Sequence, residues 1–226
     1  INTYRDESKA AFLPRFFKTG KGEYGEGDQF IGVVVPNLRI VAKKHFDADF
    51  DTLRELLASP YHEYRLTALL ALTYRYAKLK DHTSRETCVN FYVSQVDAIN
   101  NWDLVDLSCY KILGHWLFDK DKQLLYDWAK ENHLWKQRIA IISCMHFVKQ
   151  GEFKDALAIA DLLQHHPHDL IHKAVGWILR EIGKEDEQLL VDYLTPRYKE
   201  MPRTMLRYAI ERFEEGKRKA FLNSTI

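Results

Sequence analysis

A chain of 226 residues is long enough for one large domain or two small ones. It is 46% hydrophobic and 29% charged, which indicates a soluble globular protein, and no run approaches the roughly 18 apolar residues of a membrane span. The formal net charge of +1 neither requires nor excludes a nucleic-acid partner, because such binding depends on a local basic face.

The spacing of apolar residues predicts an all-α protein. An aromatic-rich helix is predicted at Tyr4–Phe17, and a glycine-rich connection, residues 20–32, separates it from the next helix at Pro36–Lys44. Val33–Val35 is the only β-branched run and is too short for a sheet. The further predicted helices are Asp51–Ala58, His62–Leu79, Arg85–Ile99, Trp102–Leu117, Lys120–Glu131, Leu134–Lys149, Phe153–Leu163, Asp169–Ile182, Glu185–Leu194 and Thr204–Phe213.

Five of these helices carry a charged residue in the same phase, followed by small and apolar residues. The marked positions lie roughly 32 to 41 residues apart, near the period of HEAT and armadillo repeats. Stacked helix pairs of this kind form a solenoid whose inner helices line a concave surface, and a basic inner column there would suit a phosphate backbone. The alternative is that each charge only solvates the exposed side of its helix. The marked residues are Arg65, Asp106, Arg138, Lys173 and Arg207.

The predicted helix Asp169–Ile182 has a basic stripe opposite its apolar side. Lys173, Trp177, Arg180 and Lys184 share one face of the helix, with the tryptophan in the middle. We expect Trp177 to face a ligand; the alternative is that it packs on a neighbouring repeat under lysine stems.

Trp102 and Asp106 are four residues apart, which places an indole and a carboxylate on one helical face. Asn100 and Asn101 precede them as candidate N-caps. Because apolar residues surround Asp106 in the sequence, we expect a positive or hydrogen-bond-donating group to face this acid.

Other chemistries find weak support. The glycines of residues 20–32 lack the Gly-Lys-Ser/Thr ending of a phosphate loop, and no strand precedes them. Three histidines around Pro167 have no thiol partner, so a solvated turn is predicted instead of a metal site. Cys88, Cys109 and Cys144 lie in apolar helical patterns and indicate buried thiols in a reducing compartment.

Three segments together resemble the bacterial alkylpurine DNA glycosylases of the HEAT-like repeat class, the AlkD family. Weaker similarity extends from Arg15–Lys18 to Arg207–Ile210 and therefore covers nearly the whole chain. The segments are Trp102-Asp-Leu-Val-Asp106, Leu134-Trp-Lys-Gln-Arg138-Ile-Ala and His172-Lys-Ala-Val-Gly-Trp177-Ile-Leu-Arg-Glu181.

The resemblance implies a single domain, 1–226, folded as a right-handed α–α superhelix of antiparallel HEAT-like helix pairs with a concave basic cleft. It implies that Trp102, Trp177 and Asp106 are catalytic and that Arg138 holds the DNA backbone. Phe16 stands where some members have a cleft tyrosine, which puts a hydroxyl-dependent role there in doubt. Lys173 and Arg180 are expected to hold phosphates beside Arg138, and Arg65 and Arg207 complete the set of expected DNA-binding residues.

The implied activity is excision of positively charged N3- or N7-alkylpurines from double-stranded DNA by hydrolysis of the N-glycosidic bond, without metal or cofactor. Asp106 would stabilise the oxocarbenium-like transition state and position water. The rival hypotheses are a non-catalytic protein that binds damaged or branched DNA and a protein-interaction scaffold, which would have an apolar or acidic groove. We expect a cytoplasmic monomer. No N-terminal signal is recognised, and a lost leader is compatible with Ile1 as the first residue.

Overall fold

The computed structural model describes residues 1–226 and is helical throughout, as predicted, with one isolated β-bridge between Gln29 and Tyr61. The chain divides into two compact units, Ile1–Trp116 and Leu117–Ile226. The single domain predicted over 1–226 stays a prediction.

The first unit is organised around one long buried helix, α4, on which α2, α3, α5 and α6 pack. Leucine, alanine and threonine side chains cover most sides of α4, which is why it is buried nearly all round. Its helices are α1 (Glu7–Phe16), α2 (Val35–Lys44), α3 (Phe50–Leu57), α4 (His62–Lys78), α5 (His82–Ser94) and α6 (Trp102–Asp106), followed by a π-helical turn at Tyr110–Gly114 and by α7 (His115–Leu117) at the boundary.

The second unit is organised around the long helix α12, against which α9, α10, α11, α13 and α14 pack. Gly176 lets α12 and α14 approach closely, since a Cβ there would lie 2.5 Å from the carbonyl oxygen of Met205. The helices are α8 (Gln123–Lys130), α9 (Leu134–Ser143), α10 (Met145–Lys149), α11 (Lys154–Leu163), α12 (Asp169–Glu185), α13 (Glu187–Leu194), α14 (Arg203–Ala209) and α15 (Glu215–Asn223).

Three predicted helices are interrupted, one of them Arg85–Ile99, in which α5 ends at Ser94 and a 3-10 turn follows at Val96–Ala98. The prediction of one continuous helix over Trp102–Leu117 is wrong, because α6 ends at Asp106. The Ser108 hydroxyl donates to the Leu104 carbonyl and so competes with the backbone hydrogen bonds of a continuing helix. The predicted helix Leu134–Lys149 is also divided, between α9 and α10 at Cys144.

All three cysteines are buried thiols outside any disulfide, as predicted. None of the helices combines the length and the apolar character that crossing a membrane requires.

Candidate functional site

Trp102 and Asp106 occupy the two ends of the short helix α6 and are both partly exposed. Asn101 caps the helix as predicted, because its side-chain oxygen accepts a hydrogen bond from the Trp102 amide at 2.8 Å. The indole and the carboxylate therefore lie one turn apart on a helix whose start is fixed by its own cap.

Two phenylalanines hold the Trp102 ring. Phe17 stacks on it with centroids 5.3 Å apart and an interplanar angle of 20°, and Phe16 meets it edge-on at 5.9 Å. Phe17 is buried, whereas Phe16 at the end of α1 is 51% exposed. The structure thus brings three of the predicted residues, Phe16, Trp102 and Asp106, into the same region of the first unit.

The buried acid of α6 is Asp103, which was not singled out from the sequence, whereas Asp106 is partly exposed. Asp103 faces Nε2 of His62 at 2.8 Å, and Nδ1 of His62 faces Asp28 at 3.2 Å. Burial alone would lower the pKa of His62, but the charges and hydrogen bonds of Asp103 and Asp28 outweigh it and raise that pKa to about 9. A cationic imidazole consequently lies between two carboxylates beneath Trp102.

This cluster was not predicted from the sequence. Asp103 lies on α6, His62 at the start of α4 and Asp28 in the glycine-rich connection. No spacing within one helix indicates that these side chains meet, because each comes from a different segment.

Arg65 also belongs to this buried cluster. It is 6% exposed, and its guanidinium donates to Asp28 and to the backbone carbonyl of Ser59. The expectation that Arg65 lies on an open basic surface is therefore wrong, since α4 is covered by its neighbours and Asp28 needs a cation.

The glycine-rich connection is bound to the start of α4. The buried Glu63 carboxylate accepts hydrogen bonds from three consecutive backbone amides, those of Ile31, Gly32 and Val33, at 2.8–3.2 Å. Asp28 is anchored through His62 and Arg65. This connection therefore contributes Asp28 to the buried cluster next to Trp102.

In the second unit, Trp177 lies on α12 and is partly exposed. Its indole nitrogen donates to Glu181 at 3.2 Å. The predicted core side of the helix is confirmed, because Ile171, Ala174, Val175, Ile178 and Ile182 are fully buried.

Acidic partners accompany all three predicted cations of α12. Lys173 pairs with Asp169 at 2.6 Å, and Lys184 pairs with Glu181 at 2.7 Å. Arg180 pairs with Glu211. Such partly exposed pairs are each worth about 0–1 kcal/mol, so a phosphate could displace the acid at small cost.

The other two cations of this unit differ in accessibility. Arg207 on α14 is exposed. Arg138 on α9 is 4% exposed and donates to the Leu170 carbonyl, so its guanidinium ties α9 to the start of α12.

A model of the DNA alkylation repair enzyme family matches residues 1–213. The chain belongs to this family. As a DNA alkylation repair enzyme it has DNA as its expected partner at the family level. No curated protein sequence matches it.

Two solved structures resemble the fold of this DNA alkylation repair enzyme. One is titled a predicted DNA alkylation repair enzyme from Enterococcus faecalis; it is 14% identical, with a TM-score of 0.71 over 93% of this chain and 97% of that chain. The other is AlkD2 from Streptococcus mutans, 15% identical, with a TM-score of 0.57 over 92% of this chain and 99% of that chain. At these identities the likeness supports the helical solenoid fold.

Proposed function

We propose that this protein is a DNA glycosylase that removes positively charged N3- and N7-alkylpurines from double-stranded DNA and acts as a monomer. The observation that carries the proposal is the pairing on α6 of an accessible carboxylate, Asp106, with an accessible indole, Trp102. The other acid of α6, Asp103, is neutralised by His62 within the protein. Asp106 is the acid of this helix that is partly exposed, and the proposal assigns the contact with the substrate to it.

The reaction needs little acid catalysis. An alkylated purine is already cationic, so it leaves with the electron pair of the C1′–N bond and becomes neutral, while positive charge develops on the deoxyribose. The Asp106 carboxylate stabilises that charge more strongly in the transition state than in the ground state. Water then adds to C1′, with its proton passing through Asp106 to solvent, and an abasic site remains.

A π-face for a cationic group of the substrate is the role proposed for each tryptophan, Trp102 in the first unit and Trp177 in the second. A cation over a desolvated indole is stabilised by up to about 2 kcal/mol. Phe17 occupies one face of Trp102 and Phe16 also contacts the ring, so the substrate would meet the part of the indole that these two side chains leave exposed. Lys173, Arg180 and Arg207 are the proposed phosphate contacts, which give affinity without sequence readout. Arg138 is buried and would reach a phosphate only if its guanidinium shifted from the Leu170 carbonyl.

Replacement of the carboxylate tests the proposal. In Asp106→Asn we expect base release from alkylated duplex DNA to fall about 100- to 1000-fold, the range for loss of one preorganised electrostatic group, with DNA binding retained. Free bases are quantified by chromatography under single-turnover conditions, with protein-free DNA as the background.

Asp51→Asn is the matched control, because it removes one exposed acid of the first unit whose ion pair is with Arg54. It should release bases at the wild-type rate. Wild-type protein that binds alkylated DNA but releases no base would favour the non-catalytic alternative. Wild-type protein that does not bind DNA would favour a protein-interaction scaffold.

A further inference from the structure

The charged cluster beneath Trp102 joins three segments of the first unit. His62 and Arg65 come from α4, Asp28 from the glycine-rich connection, and Asp103 from α6. Asn101 adds a neutral hydrogen bond, from its side-chain nitrogen to Asp28 at 3.2 Å. The cluster therefore links the α6 start to segments more than 30 residues away.

The cluster is balanced in charge only when His62 is protonated. Two carboxylates then face two cations, and all four charged side chains are at most 7% exposed. The neighbouring acid on α4, Glu63, is directed instead toward the amides of residues 31–33. Phe17 and Phe30 cover the imidazole with apolar rings, at centroid distances of 4.7 and 5.1 Å.

Two routes connect this cluster to Trp102. Through hydrogen bonds, the Asn101 side chain donates from Nδ2 to Asp28 and accepts at Oδ1 from the Trp102 amide. Through the rings, Phe17 contacts the His62 imidazole and stacks on the Trp102 indole. Since Asp103 directly follows Trp102, the His62 bond also fixes the helix on which Asp106 lies.

A buried ion cluster is a poor source of stability. Desolvation of the charges offsets much of their attraction, and apolar side chains of similar volume frequently stabilise a core as well or better. A cluster of this kind does restrict geometry, because each bond has a defined direction. Because the cluster packs against α6, which carries Trp102 and Asp106, its directional bonds can fix the orientation of that helix.

We propose that His62 is a positioning residue of the DNA glycosylase site: by bridging Asp28 and Asp103 it fixes the orientation of Trp102 and of the α6 turn that carries Asp106. This inference rests on the proposed function for its catalytic consequence. Its structural part, the fixed environment of Trp102, can be measured in the protein without DNA.

The test uses His62→Gln, which keeps hydrogen-bonding capacity but cannot carry charge. The matched control is Tyr76→Phe on the same helix, which removes the bond to His115 at 2.9 Å near the other end of α4. At a temperature where all variants are folded, we expect His62→Gln to lower the single-turnover rate of base release at least tenfold, with DNA affinity changed less than threefold. Tyr76→Phe should keep the wild-type rate. A wild-type rate in folded His62→Gln would overturn the inference.

A second measurement does not depend on activity or on the folding of a His62 variant. The fluorescence of Trp102 is obtained as the difference between wild type and Trp102→Phe and is followed from pH 7 to 10. We expect it to change with a midpoint near pH 9, where His62 loses its proton. A flat titration would overturn the positioning role. A clear titration in wild-type protein that releases no base would leave that role supported and refute the glycosylase proposal alone.

Discussion

Arg138 combines a structural contact with a proposed DNA contact. Replacement by alanine removes the donor to the buried Leu170 carbonyl, so we expect the free energy of unfolding to fall by about 1–3 kcal/mol. If the guanidinium also contacts a phosphate, DNA binding should weaken equally on all sequences. The salt slope, which is the slope of the logarithm of the DNA-binding constant against the logarithm of the salt concentration, should then be about one unit shallower.

Arg207→Ala separates the two effects, because Arg207 is exposed. We expect the free energy of unfolding of this variant to change by less than about 0.5 kcal/mol and its salt slope to fall as in Arg138→Ala. Denaturant titration and binding isotherms at several salt concentrations measure both quantities. An Arg138→Ala variant that is destabilised but keeps the wild-type salt slope would leave Arg138 with a structural role only.

At the scale of single residues, contacts between positions close in the sequence could be predicted, whereas contacts between distant segments could not. The Asn101 cap, the Trp102–Asp106 spacing and the apolar side of α12 follow from neighbours within one or two turns. The partners of His62 lie 34 and 41 residues away, and no local pattern specifies such pairs. Asp106 and Asp103 lie on one five-residue helix, and only packing decides which of them is buried.

At the scale of elements, the glycine-rich connection has a position that only glycine can occupy. Gly32 has φ of 79°, and a Cβ there would lie 1.9 Å from the carbonyl oxygen of Asp6, the residue that caps α1. Both the left-handed backbone and the close approach exclude a side chain. The segment therefore holds α1, and with it Phe16, against the start of α4.

We expect Gly32→Ala to displace α1 and to lower the free energy of unfolding by more than about 1 kcal/mol. Gly22→Ala is the matched control, since Gly22 has φ of 78° but open space around it. Gly22→Ala introduces the same left-handed backbone strain but no steric clash. The difference between the melting temperatures of the two variants therefore measures the effect of the close contact between Gly32 and the start of α1. Equal melting temperatures would contradict this account of Gly32.

Helices were predicted well where apolar residues recur at helical spacing, as in α4 and α12. The prediction failed at the end of α6, where a Ser108 side chain bonds to the backbone. It also missed α15, whose Glu215–Asn223 sequence is charge-rich and has Phe221 as its buried residue. One buried aromatic in nine residues gives too little periodicity to recognise a helix.

For the whole molecule, near-equal numbers of basic and acidic residues, 33 and 32, leave little long-range attraction for DNA. Several cations of α12 are also paired with acids. Under the proposed function, affinity for DNA would therefore come from local contacts in which phosphates replace exposed carboxylates. The proposed enzyme accordingly depends more on geometry at α6 and α12 than on overall charge.

The pH dependence of stability follows from the same buried cluster. The pKa of His62 is raised to about 9 from an ordinary 6.5, so its protonation stabilises the folded state fully below about pH 6.5. That contribution, on the order of 3 kcal/mol, should decline between pH 6.5 and 9 and be absent above. The pKa of Asp28 is shifted the other way: burial would raise it, but His62 and Arg65 lower it, so its contribution to stability is lost at acid pH.

Denaturant unfolding from pH 5 to 10 tests the contribution of His62. As the pH rises above about 6.5, the free energy of unfolding of wild type should fall more than that of His62→Gln. Parallel curves for the two proteins would show that His62 is not protonated in the folded state at neutral pH.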